Sequence, residues 1–140
     1  MTVATLYASL LWAILSSHYK SIISIHIPHK LSGTLQSAKT AIKRTPEANV
    51  TVIDSNNISV GLGLIVKRAA ELVELKKSHE QIIKEVKRIS KKTFIYALVE
   101  DLSYSVKGGR VPKIIMRISD FLRFKPILST REDGSMKPTG

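Results

Sequence analysis

Two spacings of apolar residues alternate along this chain and predict strands and helices in turn. The runs 22–27 and 50–53 are short, continuous and rich in β-branched residues, which is typical of strands buried in a parallel sheet. Around them, apolar residues recur every three or four positions, as in helices that cover a sheet. The pattern therefore predicts an α/β fold, with a parallel-sheet βαβ core and helices on both faces.

The first predicted helix is unusually apolar. Residues 3–15 contain no charged side chain, and their apolar positions cover more of the helix than one sheet face can bury. The stretch is too short to span a bilayer and has no basic residue before it. We therefore expect a helix that is partly buried and that exposes apolar surface.

The connection after the first strand carries the candidate binding residues. Pro28 ends the strand, and Ser32-Gly33-Thr34 precedes apolar residues at helical spacing. In βαβ units, the free N–H groups and the dipole at such a helix start form a site for an anion. Ser32 is predicted to cap the helix or to donate to a ligand, while Gly33 leaves the approach open. The alternative is a plain capped helix with a glycine in its turn.

Other local signals predict the elements that follow. Asp54 opens a polar turn after the second strand, at the same edge of the sheet as the Ser32 loop. Ser59 is predicted to cap a helix that runs to about residue 76. Ser78 and Gln81 have the spacing of a capping box for the next helix, whose outer face is rich in lysine.

A sharp turn at Gly108-Gly109-Arg110 predicts a boundary between two regions. Residues 1–107, which include a third predicted strand at 93–99, then form the α/β core region. Residues 108–140 form the start of a second, smaller α/β region, with a hairpin signal at Asp133-Gly134. Because the second arm of that hairpin is cut short, we expect a truncated piece of a two-domain protein.

The charge is strongly positive and unevenly distributed. The formal net charge is +11, with 5 basic against 2 acidic residues in positions 1–66 and 17 against 9 in positions 67–140. This balance predicts an acidic partner, either nucleic acid, an anionic membrane or an acidic protein surface. Since aromatic residues are few and are not interleaved with the cations, we expect protein docking and no specific nucleic acid.

Residues near the Ser32 loop also raise the hypothesis of catalysis. His26 and His29 lie close to Ser32, but no carboxylate follows them at a ligand spacing, and no G-x-S-x-G elbow occurs. We predict that His26 is a satisfied histidine on one face of the sheet and that Asp54 caps its own turn. The chain has no cysteine, which excludes disulfides and thiol chemistry and is compatible with a cytoplasmic location.

Four motifs occur in an order that resembles the DegV family. They are S-I-H-I-P-H-K-L-S-G-T-L-Q-S-A, V-T-V-I-D-S with S-V-G-L-G-L, K-G-G-R-V and K-P-I-L, spread between about Val3 and Lys137. The resemblance implies a bacterial fatty-acid-binding protein, the non-catalytic carrier subunit of a fatty-acid kinase, without metal or cofactor. A basic interaction module for nucleic acid or anionic membrane is the alternative that the charge leaves open.

The resemblance also implies a binding site. Ser32 would hydrogen-bond the carboxylate of a long-chain fatty acid, Gly33 would supply a backbone N–H, and the acyl tail would lie in an apolar tunnel between the two regions. A separate kinase subunit would phosphorylate the presented carboxylate. A threonine and a histidine of the family's carboxylate network fall outside this chain, so we expect part of the site, and self-association through uncovered apolar surface.

Overall fold

The computed structural model describes residues 2–122 and 125–139. The elements are α1 (Val3–His18), β1 (Ile22–His26), α2 (Thr34–Ile42), β2 (Val50–Asp54), α3 (Ser59–Glu74), α4 (His79–Ser90), β3 (Tyr96–Leu98), α5 (Ser103–Lys107), α6 (Lys113–Leu122), β4 (Ile127–Thr130) and β5 (Met136–Pro138). Among these described elements, no helix combines the length and the apolar character needed to cross a membrane.

The first half of the chain is the predicted βαβ unit. β1 and β2 pair in parallel, with Ile22 opposite Val50 and His26 opposite Asp54. This register brings the carboxyl ends of both strands, and the loops that follow them, to the same edge of the sheet. The predicted parallel core is therefore confirmed.

Helices cover both faces of this sheet. On one face, α3 and α4 enclose an apolar cluster with Ile53 of β2; its buried members are Ile53, Ile65, Ala69, Leu72, Ile82 and Val86. On the other face, α1 and α2 enclose a smaller cluster of Trp12, Ala38, Ala41 and Ala48. The two clusters confirm the prediction of helices on both faces, because each sheet side needs its own apolar cover.

α1 leaves most of its apolar surface uncovered within the described residues. Trp12 is 3% exposed and anchors the helix, whereas Tyr7 is 69% and Ile14 is 60% exposed. The other large apolar side chains exposed on this helix are Val3, Leu6, Leu10 and Leu11. The expected excess of apolar surface on the first helix is therefore present.

A second sheet is built from β3, β4 and β5, all antiparallel. β3 is shorter than the predicted strand at 93–99, and it pairs with β4 rather than with the parallel core. The hairpin of β4 and β5 has Thr130 opposite Met136 and Gly134 at φ 78°, which confirms the turn signal. This sheet crosses the predicted boundary at residue 107, and the division into two domains there stays a prediction.

The helix N-caps in the structure can be compared with the caps predicted from the sequence at Ser59 and Ser78. The capping box of Ser78 and Gln81 is present in both of its hydrogen bonds, as predicted. The prediction for Ser59 is wrong: Ile58 holds the cap position, and Ser59 is the first helical residue with φ 49°. The reason lies in the preceding turn, where the buried side chain of Asn57 donates to the Ser55 and Ser90 carbonyls and sets where the helix begins.

Candidate functional site

The loop between β1 and α2 winds into a turn before the helix begins. The N–H groups of Leu31 and Ser32 both donate to the Pro28 carbonyl, at 3.0 and 3.1 Å. Gly33 then has right-handed helical backbone angles, φ −74° and ψ −2°, and holds the N-cap position of α2. The prediction that Ser32 caps this helix is therefore wrong, because the turn places Ser32 one residue too early.

Ser32 instead makes local bonds to Thr34. The Ser32 Oγ accepts from the Thr34 N–H at 3.2 Å and donates to the Thr34 Oγ1 at 3.2 Å. Both bonds are long for their type, so a stronger acceptor can replace the second one at little cost. The Gly33 N–H has no acceptor among the described residues. No atom lies within 4 Å of where a Cβ of Gly33 would stand.

The polar turn after β2 lies beside this loop, as predicted. One carboxylate oxygen of Asp54 accepts from the His29 N–H at 3.1 Å and lies 2.8 Å from His29 Nδ1. The other accepts from the Asn56 N–H at 2.9 Å, so Asp54 caps its own turn as expected. Because both oxygens are engaged, Asp54 acts as a brace between the two loops rather than as a free general base.

A groove of about 610 Å³ opens beside Ser32 and Gly33; much of its wall is apolar, and we call it the polar groove after the hydroxyl side chains that line it. It is lined mainly by small hydroxyl side chains, by one arginine and by no acidic residue of the described chain: Thr2, Ala4, Thr5, Ser32, Gly33, Thr34, Gln36, Ser37, Thr40 and Arg44. The first N–H groups of α2 have no partner within the helix, and Gly33 and Thr34 at this helix start are among the lining residues. The groove thus offers hydrogen-bond donors and a favourable field to an anion.

An apolar groove of about 460 Å³ lies next to the polar one, and Ala4 and Thr34 line both. Its remaining lining residues are Tyr7, Ala8, Ile25, His26, Ile27, Ala38 and Leu62. His26 Nε2 lies 2.7 Å from the Ser24 Oγ, so this histidine has a partner, as predicted. Burial lowers the pKa of His26, against the opposing charge of Asp54, which favours a neutral ring in the groove.

One contact to the Ser32 loop comes from a residue that sequence reasoning did not assign to the site. The Arg110 Nε donates to the Leu31 carbonyl at 3.1 Å, one residue before Ser32. The turn that aims Arg110 depends on Gly109, whose φ is 74°. The Gly108-Gly109-Arg110 motif is visible in the sequence, where it predicted a boundary between regions. It did not indicate which residue the Arg110 side chain would contact.

The hairpin of β4 and β5 also reaches the loops. The Asn56 Nδ2 donates to the Glu132 carbonyl at 2.8 Å, and Gly134 packs so closely on Pro28 that a Cβ there would lie 2.5 Å from the proline Cβ. In the described part of the chain, no group of three or more acidic or histidine side chains is arranged to hold a metal ion. The arrangement is therefore a braced loop edge with hydroxyl and amide donors next to an apolar groove.

Comparison with known proteins identifies the family. The model of the family described as "Uncharacterised protein, DegV family" matches residues 2–140. This chain belongs to the DegV family. A DegV domain-containing protein of Staphylococcus aureus is 37% identical over 116 residues, which is 83% of this chain and 41% of that protein. The DegV chain thus spans less than half the length of this curated relative.

Solved DegV structures have the same fold. A fatty-acid-binding DegV family protein from Thermus thermophilus superposes with a TM-score of 0.85 at 31% identity, covering 97% of this chain and 48% of that one. A stearic acid-binding protein from Eubacterium ventriosum gives a TM-score of 0.83 at 25% identity, covering 98% and 47%. These matches confirm the predicted family and the α/β fold of the described chain.

Proposed function

We propose that this DegV chain binds a long-chain fatty acid without transforming it. The carboxylate would lie at Ser32 and Gly33, and the acyl tail would follow the apolar groove. The observation that carries the proposal is the adjacency of the two grooves, both lined by Ala4 and Thr34, which puts hydrogen-bond donors next to an apolar groove. The names of the Thermus and Eubacterium relatives, which state fatty-acid and stearic acid binding, support it.

The local hydrogen bonds suit a carboxylate. Ser32 can turn its O–H from the Thr34 Oγ1, a long contact of 3.2 Å, to a ligand oxygen while still accepting from the Thr34 N–H. The Gly33 N–H, which lacks an acceptor in the described chain, is a second donor. Hydrogen bonds to an ionised acceptor are shorter and stronger than neutral ones. Exchange of the internal contact for a carboxylate is therefore favourable.

The apolar groove suits a tail. A neutral His26 adds no charge to the lining, and each methylene transferred from water contributes about 0.8 kcal/mol. The polar groove is open to solvent at the Ser32 end, so a bound carboxylate stays within reach of another protein. We propose that the other protein is a kinase subunit, and that the DegV chain presents the fatty-acid carboxylate to it for phosphorylation.

The first test measures affinities for octanoate, dodecanoate and hexadecanoate by calorimetry. Affinity should rise roughly fourfold per methylene until the groove is filled. Hexadecanol, which has the tail but no carboxylate, should bind roughly ten- to a hundredfold more weakly than hexadecanoate. Equal affinities for the acid and the alcohol would contradict the carboxylate site. An affinity that does not change with chain length would contradict the tail groove.

A variant tests the proposed path between the two grooves. Ala4 is exposed at the surface of α1, so Ala4→Trp can be accommodated there while its ring blocks the passage between the grooves. Hexadecanoate binding should fall and octanoate binding should change less. Ala13→Trp is the matched control, because Ala13 is exposed on the same helix and lines neither groove. Equal losses in the two variants would contradict the proposed path.

The kinase role has a separate readout. When a purified fatty-acid kinase subunit, ATP and fatty acid are mixed, acyl phosphate and ADP should form only when this chain is added. Binding of fatty acid without stimulated phosphorylation would retain the binding site and reject the presenting role.

A further inference from the structure

The outer face of α4 concentrates positive charge that the protein does not use internally. Residues 76–92 carry seven lysine or arginine side chains and only two glutamates. The cations at the surface of α4 and just beyond its end are Lys84, Lys87, Arg88, Lys91 and Lys92, all exposed. We define these five residues as the α4 basic face.

Among the described residues, the acidic side chains nearby neutralise only part of this face. Glu85 is held by Arg88 alone, through the Nε and Nη2 groups at 2.7 Å each, and these bonds with Arg88 are the main cause of the lowered pKa of Glu85. Within the described chain, no ion pair forms at Lys84, Lys87 or Lys91. The three lysines therefore remain available.

The fold fixes the spacing of these lysines along the backbone of α4. The capping box fixes the start of α4, and Ile82 and Val86 are buried at 4% and 0% exposure. Lys84, Lys87 and Lys91 follow the i, i+3, i+7 spacing of one helix face and rise by roughly 10 Å along it. Like charges at these spacings repel by a few tenths of a kcal/mol per pair. A partner that offers carboxylates at matching positions turns this repulsion into attraction.

We infer that the α4 basic face docks an acidic protein surface, with carboxylates at the spacing of the lysines. The apolar residues of α4 face the core, so the helix has none to insert into a membrane. Residues 59–93 contain no Phe, Tyr or Trp on which nucleic-acid bases could stack, and the exposed Phe94 and Tyr96 follow only after the end of α4. The one arginine of the face pairs with Glu85 through Nε and Nη2. Its guanidinium group is therefore not free for bidentate hydrogen bonding to a phosphate.

The test compares two triple charge reversals that lower the net charge equally. The first, Lys84→Glu, Lys87→Glu and Lys91→Glu, reverses the α4 basic face. The control reverses three exposed lysines elsewhere, Lys20, Lys43 and Lys113. The probe is a designed coiled coil whose exposed face carries glutamates at i, i+3 and i+7 positions. It is compared with a DNA duplex and with vesicles of phosphatidylglycerol.

The coiled coil should bind the parent chain, and the α4 reversal should weaken binding roughly tenfold or more, against about twofold for the control. A coiled coil with lysines in place of the glutamates should bind only the α4-reversed chain. The inference is overturned if both reversals weaken binding equally, if the coiled coil does not bind, or if DNA or vesicles bind more tightly than it does.

Folding and ligand binding are checked in the same variants. Three glutamates at these positions repel one another as the three lysines do, and they lose the favourable interaction of cations with the dipole near the helix end, so the melting temperature of the α4 variant should stay level or fall slightly. The three lysines line neither groove, so hexadecanoate affinity should not change. If the parent chain binds fatty acid but not the coiled coil, the docking inference fails and the proposed function stands. If it binds the coiled coil but not fatty acid, the proposed function fails and the docking inference stands.

Discussion

Ser32→Ala is the substitution that best separates a binding residue from a structural one. Among the described residues, the hydroxyl makes two hydrogen bonds of 3.2 Å, both to Thr34 two residues away, and it does not cap α2. Removing it should therefore cost less than the roughly 1 kcal/mol of a true cap. For a chain of this size, that is a fall in melting temperature of at most about 3 to 5 °C.

The expected effect on ligand binding is larger. A hydrogen bond to a charged group contributes about 1.5–3 kcal/mol, so Ser32→Ala should weaken hexadecanoate binding roughly ten- to a hundredfold. Gly33→Ala should weaken it further, because the methyl group enters the path of the carboxylate. Gly33 has φ −74° and empty space around the added Cβ, so backbone strain cannot account for that loss.

The assay is calorimetric titration with hexadecanoate alongside thermal unfolding of each variant. Ser17→Ala is the matched control, because Ser17 is an exposed serine with one local bond, to the Ile14 carbonyl at 2.7 Å. It should change neither affinity nor chain-length dependence. If Ser32→Ala binds hexadecanoate as the parent does while its melting temperature falls, the carboxylate role is refuted and Ser32 is only part of the turn.

Further predictions concern the fold around the site. Gly61→Ala should lower the free energy of unfolding by about 1–3 kcal/mol in urea, because the new Cβ would lie 2.6 Å from the Ile95 Cγ2. Gly63→Ala on the same helix is the control, because its Cβ meets no atom and the change should be neutral or stabilising. Burial lowers the pKa of His26, so stability should be full above about pH 6.5 and fall as the pH drops below it; His26→Gln should flatten this slope, and an unchanged slope would contradict the assignment. The exposed face of α1 should promote self-association, which Leu10→Lys should reduce in light scattering; a parent chain that is monomeric and binds no hydrophobic dye would contradict this.

Elements that depend on contacts between near neighbours along the chain were predictable from the sequence. The capping box of Ser78 and Gln81 lies within one helical turn, and the hairpin at Gly134 depends on a backbone angle that glycine adopts readily. The parallel strands were predictable because buried β-branched runs between helical patterns favour one architecture. The adjacency of the Ser32 loop and Asp54 followed from that architecture.

The amino-acid sequence by itself determined the family, the parallel core and the position of Ser32 and Gly33 after the first strand. Only the tertiary structure decided that Gly33 rather than Ser32 caps α2, that β3 joins the second sheet, and that Arg110 reaches the Leu31 carbonyl. It also decided that Ala4 and Thr34 line both the polar and the apolar groove. The reason is that local propensity specifies which segments are helices and strands, while the partners of a strand edge or a long side chain depend on packing between residues far apart in the chain.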